Sequence, residues 1–271
     1  MAGFLSNNFF LASFAAGFSP TACDFDHSDN SKMSRTIGTP SNADKFTMSW
    51  WEKRNSQSRF SVSASGYSTG EIYDYLFHHA GDNTIRWEAQ NGTSSYSVYS
   101  TGAYGSGTWR HYVYQYDSSV YNDTDRIKWY INGSQLSVST RYSGFPPGSG
   151  DGGHGTHGNS SLDRDSLMNS SGATFSIGHI PTYNGYADSL FSEVVLTDGQ
   201  IYAPSTFGQD DGGTWKAKDF ADGVTFGNNG FYLTFQNASS LGADTSGNSN
   251  DFTLSNITSD HQESSDVPPS V

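Results

Sequence analysis

The sequence predicts an all-β protein, an antiparallel β-sandwich, and three observations support this fold class. Glycine and aromatic residues are abundant, with 30 Gly, 18 Phe, 16 Tyr and 6 Trp among 271 residues. Helices favour Ala, Leu, Glu and Lys, whereas strands favour aromatic and β-branched residues, and the chain has only five glutamates. Short segments that alternate apolar and polar residues recur between turns, as in strands with one face on a core.

The predicted strands are short and closely spaced, which indicates a sandwich or barrel. They comprise residues 46–53, 84–88, 109–116, 126–131, 173–178, 185–196 and 230–235. Asn132-Gly133, directly after the fourth of these, is a strong hairpin signal. Four tryptophans lie at alternating strand positions and are expected in the core: Trp50, Trp87, Trp109 and Trp129.

Charge and cysteine content exclude several classes of protein. The formal net charge is −13, and the 14 basic residues form no cluster. Because phosphate contacts depend on Lys and Arg, we expect no nucleic-acid partner. Adhesion to an anionic membrane is disfavoured for the same reason, and we expect no membrane insertion. The single cysteine, Cys23, cannot form an internal disulfide, so packing must supply the stability.

The chain begins with an apolar segment, residues 1–22. It has no basic residue before Lys32, which a signal peptide would require, and it is too short and interrupted for a membrane span. We interpret it as an assembly arm that contacts other subunits through apolar side chains: Phe4, Leu5, Phe9, Phe10, Leu11 and Phe14. A first strand or helix of the domain itself is the alternative. The sandwich then spans residues 23–258, and the polar residues 259–271 form a C-terminal tail.

A long loop, residues 143–172, interrupts the strand pattern with Gly, Ser, Asn and Asp. A loop of this length in a compact domain is usually functional or disordered. Its candidate ligand-binding residues are Asp151, His154, His157 and Asn159. The two histidines also suggest a metal site, but spacing in a glycine-rich loop imposes no geometry.

Residues 244–251 are rich in Asp and Asn around a glycine. Oxygen ligands from Asp244, Asn248, Asn250 and Asp251 can converge on a hard cation, so calcium is the one candidate cofactor. The alternative is that these side chains satisfy local backbone donors in tight turns.

The ordered series of strands resembles a known family. Residues 46–53, 109–113 and 126–133 resemble successive strands of laminin G-like domains, and residues 175–178 and 185–194 resemble later ones. Residues 196–252, together with the apolar arm, resemble laminin G-like proteins found in phages of marine bacteria. This resemblance implies a jelly-roll sandwich of the concanavalin A-like lectin/glucanase type.

The resemblance also implies a function, as a virion structural protein of a tailed phage. The first hypothesis is a tail-fibre or tail-tip component that binds host surface glycans through sandwich loops. The second is a capsid decoration or head-fibre protein. The expected partners are other virion proteins and further copies of the chain, and the expected location is the phage tail or capsid surface.

A third hypothesis, a polysaccharide depolymerase, requires paired carboxylates that project into one groove. Glu71 and Asp74 are three residues apart, which places them on opposite faces of a strand. Asp188 and Glu193 have the same problem of parity. The sequence also contains no Gly-x-Ser-x-Gly elbow. We therefore predict that the protein is not an enzyme and name no catalytic residue.

Overall fold

The computed structural model describes residues 18–56, 63–66, 72–91, 94–120, 126–141, 166–180 and 185–271. Within these residues the protein is the predicted all-β sandwich, with two antiparallel sheets. The described residues include five short 3-10 helices: His27–Asp29, Leu167–Asn169, Pro204–Thr206, Ala221–Gly223 and Ser259–His261. None of these described helices has the length and apolar character needed to cross a bilayer.

The strands form two large sheets and two hairpins within the described residues. The first sheet, in spatial order, contains β10 (Ser134–Gln135), β9 (Ile127–Ile131), β8 (Arg110–Asp117), β3 (Lys45–Arg54), β15 (Ser189–Asp198), β1 (Ala22–Phe25) and β20 (Gln262–Glu263), and β18 (Phe231–Leu233) also pairs with β15. The second contains β11 (Val138–Arg141), β7 (Ser94–Ser100), β6 (Ile85–Asn91), β5 (Ile72–His78), β4 (Ser63–Gly66), β12 (Thr174–Ile177), β2 (Lys32–Thr36) and β19 (Thr253–Ser255). The hairpins pair β13 (His179–Ile180) with β14 (Gly185–Tyr186), and β16 (Gly208–Asp211) with β17 (Thr214–Ala217).

Aromatic side chains from both sheets meet in the core between them. Trp50 of β3 stacks on Tyr112 of β8, with ring centroids 5.3 Å apart. Across the sandwich, the rings of Trp87 and Tyr116 lie 6.1 Å apart. Trp50, Trp87 and Trp129 are each about 1% exposed, which confirms the core assignment for these three. Large buried aromatic rings dominate core energetics in domains of this kind.

Two local predictions are wrong. Trp109 is only half-buried, and its indole Nε1 donates to Asp266 Oδ1 at 2.9 Å instead of packing in the core. Residues 185–196, predicted as one strand, are divided between β14 and β15. The division arises because the backbone between them bonds elsewhere: Ala187 N donates to Gly178 O at 2.8 Å, and Asp188 O accepts from Asn55 N at 2.9 Å.

The predicted hairpin at Asn132-Gly133 is confirmed. It joins β9 to β10, and both residues have positive φ, 46° and 78°. Positive φ at both central positions is the requirement of the type I′ turn that Asn-Gly favours.

The central strands of the first sheet are buried on both faces, whereas alternation in the sequence predicted one buried face. All ten residues of β15 are buried. The outer face is covered by residues 200–226, which contribute Phe207 and Phe220 to a second apolar cluster with Val113, Val195 and Tyr232. The first sheet is therefore an interior layer over much of its area.

The residues predicted as a tail, 259–271, pack against the first sheet. Gln262 pairs with Cys23 through β20, and the Asp266 carboxylate contacts Lys53 and the Trp109 indole. Further on, Ala217 N donates to Pro269 O at 2.7 Å. Residues 269–271 therefore form backbone hydrogen bonds with the last residue of β17.

Candidate functional site

Two sets of predicted site residues lie outside the described residues. They are the loop residues Asp151, His154, His157 and Asn159, and the arm residues Phe4, Leu5, Phe9, Phe10, Leu11 and Phe14. Both assignments stay predictions.

The residues of the predicted calcium segment are engaged in local hydrogen bonds. Asp244 Oδ1 accepts from Tyr232 N at 2.9 Å and from Ser246 N at 2.8 Å, and Oδ2 accepts from Asn250 N at 2.9 Å. Asp251 Oδ1 in turn accepts from Asp244 N at 2.8 Å. These contacts are those of carboxylates in tight turns.

The amides of the same segment fasten it to the loop that precedes β18. Asn248 Nδ2 and Asn250 Nδ2 both donate to Gly230 O, at 2.9 and 2.7 Å. In the part of the chain that the structure describes, no group of three or more His, Cys, Asp or Glu is placed to hold a metal ion. Calcium binding stays a prediction.

A surface cavity of about 440 Å³, wide open to solvent, lies in the segment that covers the outer face of the first sheet. This volume is within the range of pockets that hold small ligands. Its lining combines an ammonium group, two carboxylates, a hydroxyl and an aromatic ring: Thr206, Lys218, Asp219, Phe220, Asp222 and Gly223. We treat it as the candidate functional site.

The base of the cavity is fixed by aromatic packing onto the sheet. The ring of Phe220 lies 5.1 Å from that of Phe207 and 4.8 Å from that of Tyr232. Gly223 N donates to Phe220 O at 2.9 Å, which closes the 3-10 turn Ala221–Gly223. A rigid base allows the polar groups around it to keep their positions.

The hairpin β16–β17, which precedes most of the cavity residues in the chain, contacts the first sheet through His111. His111 stacks on Trp51, with ring centroids 5.1 Å apart. Trp215 lies beside His111, with ring centroids 6.0 Å apart and ring planes within 15° of parallel. Trp215 Nε1 donates to His111 Nδ1 at 2.9 Å, so the ring proton lies on Nε2, 2.8 Å from Ser49 Oγ. Burial lowers the pKa of His111 to about 3, which keeps the ring neutral.

Glycine at position 133 makes this arrangement possible. A Cβ atom there would lie 2.5 Å from the Trp215 ring, and φ is +78°. Because Trp215 belongs to β17, its contacts determine where Lys218 enters the cavity lining.

The charged groups of the cavity are available to a ligand. Asp219 and Asp222 are exposed, and Lys218 is half-exposed. Within the described residues, neither carboxylate forms an ion pair with Lys218. Asp219 accepts one local bond, from Ala221 N at 3.4 Å.

Beneath this segment lies a buried carboxyl, Glu193, at an irregularity of β15. The pairing of β15 with β3 shifts register between Ser192 and Val195, and Glu193 has φ 50°. Tyr232 Oη donates to Glu193 Oε2, while Oε1 has no partner among the described residues. Burial raises the pKa of Glu193 to about 8, and the charge of Asp219 adds to the effect. Bulges that aim a side chain in this way recur beside functional sites.

A second buried cluster lies at one end of the core, around Glu52. Its carboxylate accepts from Ser189 Oγ at 2.9 Å and lies 3.1 Å from His78 Nε2. Burial acts to raise the pKa of Glu52, but His78 and Arg54 outweigh it and the net change is downward. Glu52, His78 and Ser189 are each about 1% exposed. Burial also lowers the pKa of His78, which disfavours its charged form. The cluster is a buried polar network that no bulky substrate reaches in this conformation.

Residues 28–184 match the profile of the concanavalin A-like lectin/glucanases superfamily. The chain belongs to this superfamily. In this member the candidate cavity, at residues 206–223, lies beyond the matched region. No curated protein matches the chain.

Several solved structures resemble this member of the superfamily. A SAP-like pentraxin from Limulus polyphemus is 13% identical, with a TM-score of 0.45 over 69% of this chain and 79% of its own. Mouse laminin alpha1 domains LG4-5 are 10% identical, with a TM-score of 0.44 over 70% of this chain, which spans 48% of theirs. Domain 4 of AbnA, a GH43 extracellular arabinanase from Geobacillus stearothermophilus, is 13% identical, with a TM-score of 0.42 over 69% of this chain and 97% of its own.

The sequence analysis missed the cavity residues, Glu193 as a buried acid, and His111. The signal for the cavity was the density of charge in residues 209–222, where four aspartates and two lysines surround Trp215 and Phe220. No comparable signal identified His111, because its two indole neighbours come from strands 60 or more residues apart in the chain.

Proposed function

We propose that the protein is a saccharide-binding component of a phage particle, and that the cavity at residues 206–223 is its binding site. The observation that carries the binding proposal is the composition of this cavity, which is lined by polar groups of both charges and by the largely buried ring of Phe220. Sites of this kind use a few fixed polar groups for orientation and apolar surface for contact area.

The cavity suits a saccharide because a sugar presents hydroxyl groups around a partly apolar ring. The carboxylates of Asp219 and Asp222 can accept hydrogen bonds from sugar hydroxyls, while the Lys218 ammonium donates. The Thr206 hydroxyl can do either. Phe220, which is 7% exposed, adds a small apolar area for ring carbons.

The virion part of the proposal is supported by the resemblance of residues 196–252, and of the apolar arm, to laminin G-like proteins of marine phages. A component at a tail fibre or tail tip would be present in several copies. Weak individual sites would then act together, since linked copies raise avidity without new contacts. A decoration protein of the capsid is the competing location.

Glycan-array binding tests the site. We expect the wild-type protein to bind a subset of glycans and Asp222→Asn to lose roughly three- to tenfold in affinity, as for one polar contact. Asp260→Asn is the matched control, because Asp260 is exposed, lies outside the cavity and loses the same charge. Equal loss in both variants, or no glycan bound by the wild type, would count against the site.

Immunogold labelling of purified particles, with antibody against the whole protein, tests the location. Gold at the tail agrees with host attachment, and gold over the head assigns the protein to capsid decoration. Unlabelled particles, in a preparation whose lysate contains the intact protein, would rule out the virion role.

A further inference from the structure

The balance of charge in the cavity indicates which saccharides it accepts. We propose that it selects a sugar bearing a protonated amino group over uronic or sulfated sugars. This inference rests on the proposed saccharide-binding function and adds a ligand class to it.

The lining carries two carboxylates against one ammonium group, so its net charge is negative. Asp219 and Asp222 both reach solvent, and among the described residues neither is neutralised by Lys218 in an ion pair. An incoming ammonium group therefore finds two acceptors of opposite charge, whereas an acidic sugar meets one donor and two like charges. At contact distance, a single pair of charges contributes about 1 kcal/mol in water and more near a protein surface.

The charge of Asp219 acts on groups in the protein below the cavity. Burial is the main reason that the pKa values of Glu193 and Tyr232 are raised, and the negative charge of Asp219 raises both further. The titratable groups acting on Glu193 from neighbouring elements are Tyr232 on β18 and Asp219 in the covering segment.

Charged residues near the cavity add to its preference for cationic ligands. The adjacent hairpin contributes Asp210 and Asp211 at its exposed tip, and its Lys216 is already paired with Asp211 at 2.6 Å. The whole chain carries a formal charge of −13. Long-range steering therefore favours cationic over anionic ligands before contact is made.

The cavity also contains an aromatic ring and a hydroxyl group, which a simple amine would not contact. The Phe220 ring and the Thr206 hydroxyl lie beside the carboxylates, so a ring that carries both carbon surface and hydroxyl groups makes more contacts than a simple cation. An amino sugar combines the three features that the lining matches.

Isothermal titration with oligosaccharides of one length tests the inference. The probes are glucosamine oligomers, N-acetylglucosamine oligomers and galacturonate oligomers, at about pH 6, below the ordinary pKa of an amine. We expect the glucosamine oligomer to bind roughly tenfold more tightly than its acetylated counterpart, with the galacturonate oligomer weakest. The first two share the sugar ring and differ at the amino position, where acetylation replaces the ammonium group with a neutral amide.

Three variants test whether the preference for the charged amine depends on the cavity. Asp222→Asn should reduce the preference for the amine roughly three- to tenfold, while Lys218→Gln should preserve or increase it. Asp260→Asn removes the same charge outside the cavity and should leave the preference unchanged.

The outcomes separate the two proposals. Tighter binding of the acetylated or acidic oligomer, lost in Asp222→Asn, overturns the inference and leaves the saccharide site standing. Preference for the amine that falls equally in Asp222→Asn and Asp260→Asn shows general attraction to an acidic protein, and also overturns it. Binding of none of the probes, by a protein that also binds no arrayed glycan, overturns both.

Discussion

Two buried carboxyl groups on β15, Asp198 and Glu193, lie five residues apart and have opposite environments. Both are at most 3% exposed. Asp198 is surrounded by hydrogen-bond donors, whereas Glu193 has one donor and an oxygen without a partner among the described residues. A buried charge is stable only when donors replace the water it has lost.

The donors to Asp198 come from three separate parts of the chain. Its carboxylate accepts from the backbone N–H groups of Ser41, Asn42 and Asn229, at 2.6, 3.2 and 3.1 Å. A fourth bond comes from Asn169 Nδ2, at 2.8 Å. Four donors satisfy both oxygens, so this carboxylate joins distant segments.

Glu193 has too few donors to remain charged at neutral pH. Burial raises its pKa to about 8, although the hydrogen bond from Tyr232 acts in the other direction. Its positive φ and the register shift beside it show that the strand is distorted where this side chain projects. For these two acids the number of hydrogen-bond donors, and not the depth of burial, determines whether the carboxyl group is held charged between segments or has a raised pKa.

The largest expected effect is that of Asp198→Ala. The substitution would leave three backbone N–H groups and one amide unpaired in the interior, at about 1–3 kcal/mol each. We expect the free energy of unfolding in urea to fall by at least about 4 kcal/mol, or the protein not to fold at 25 °C. Asp198→Asn, which keeps one acceptor and the shape, should lose less. A smaller loss for Asp198→Ala than for Glu193→Ala would contradict the assignment of Asp198 as the better satisfied of the two carboxyl groups.

The next effect is the pH dependence removed by Glu193→Gln. Between the ordinary pKa of 4.5 and the folded value of about 8, the folded protein holds a proton that the unfolded chain has released. Stability due to this group therefore falls as pH rises through that range. We expect the variant to match the wild type within about 1 kcal/mol at about pH 5, and to be more stable by roughly 4 kcal/mol at about pH 9.

Urea unfolding of both proteins across this pH range is the measurement, and the difference between them isolates Glu193 from other titrating groups. If the stabilities of the two proteins change with pH in the same way, Glu193 is charged in the folded state, as expected for Asp198.

The smallest effect is expected for Tyr232→Phe. Loss of the hydroxyl removes the described donor to Glu193 and costs about 1 kcal/mol. Because this hydrogen bond lowers the pKa of Glu193, its removal should move the pH-dependent loss of stability to higher pH. Tyr130→Phe is the control, since Tyr130 Oη bonds to Gln115 and not to a carboxylate. A shift to lower pH in Tyr232→Phe would contradict this assignment.

Much of the fold was predictable from local patterns. The strand predicted at residues 46–53 lies within β3, and Asn132-Gly133 forms the predicted turn. Both depend on interactions between residues close in sequence, namely side-chain alternation and positive φ at the turn. The prediction for Trp109 failed because its partner, Asp266, is 157 residues away.

The candidate cavity was not predictable, for the same reason. Residues 209–222 show their charge in the sequence, but nothing local indicates that Phe220 packs on Tyr232 or that Glu193 lies beneath. The parity argument for Asp188 and Glu193 assumed a continuous strand, and the structure divides that strand and shifts its register.

Alternation and backbone preference act over a few residues, so the all-β class, most strand positions and the turn at Asn132-Gly133 follow from the sequence alone. The burial of the first sheet on both faces, the four hydrogen bonds to Asp198 and the unpartnered oxygen of Glu193 follow from long-range contacts. Those outcomes depend on which distant segments deliver hydrogen-bond donors and apolar cover to one place, and the fold as a whole sets that placement.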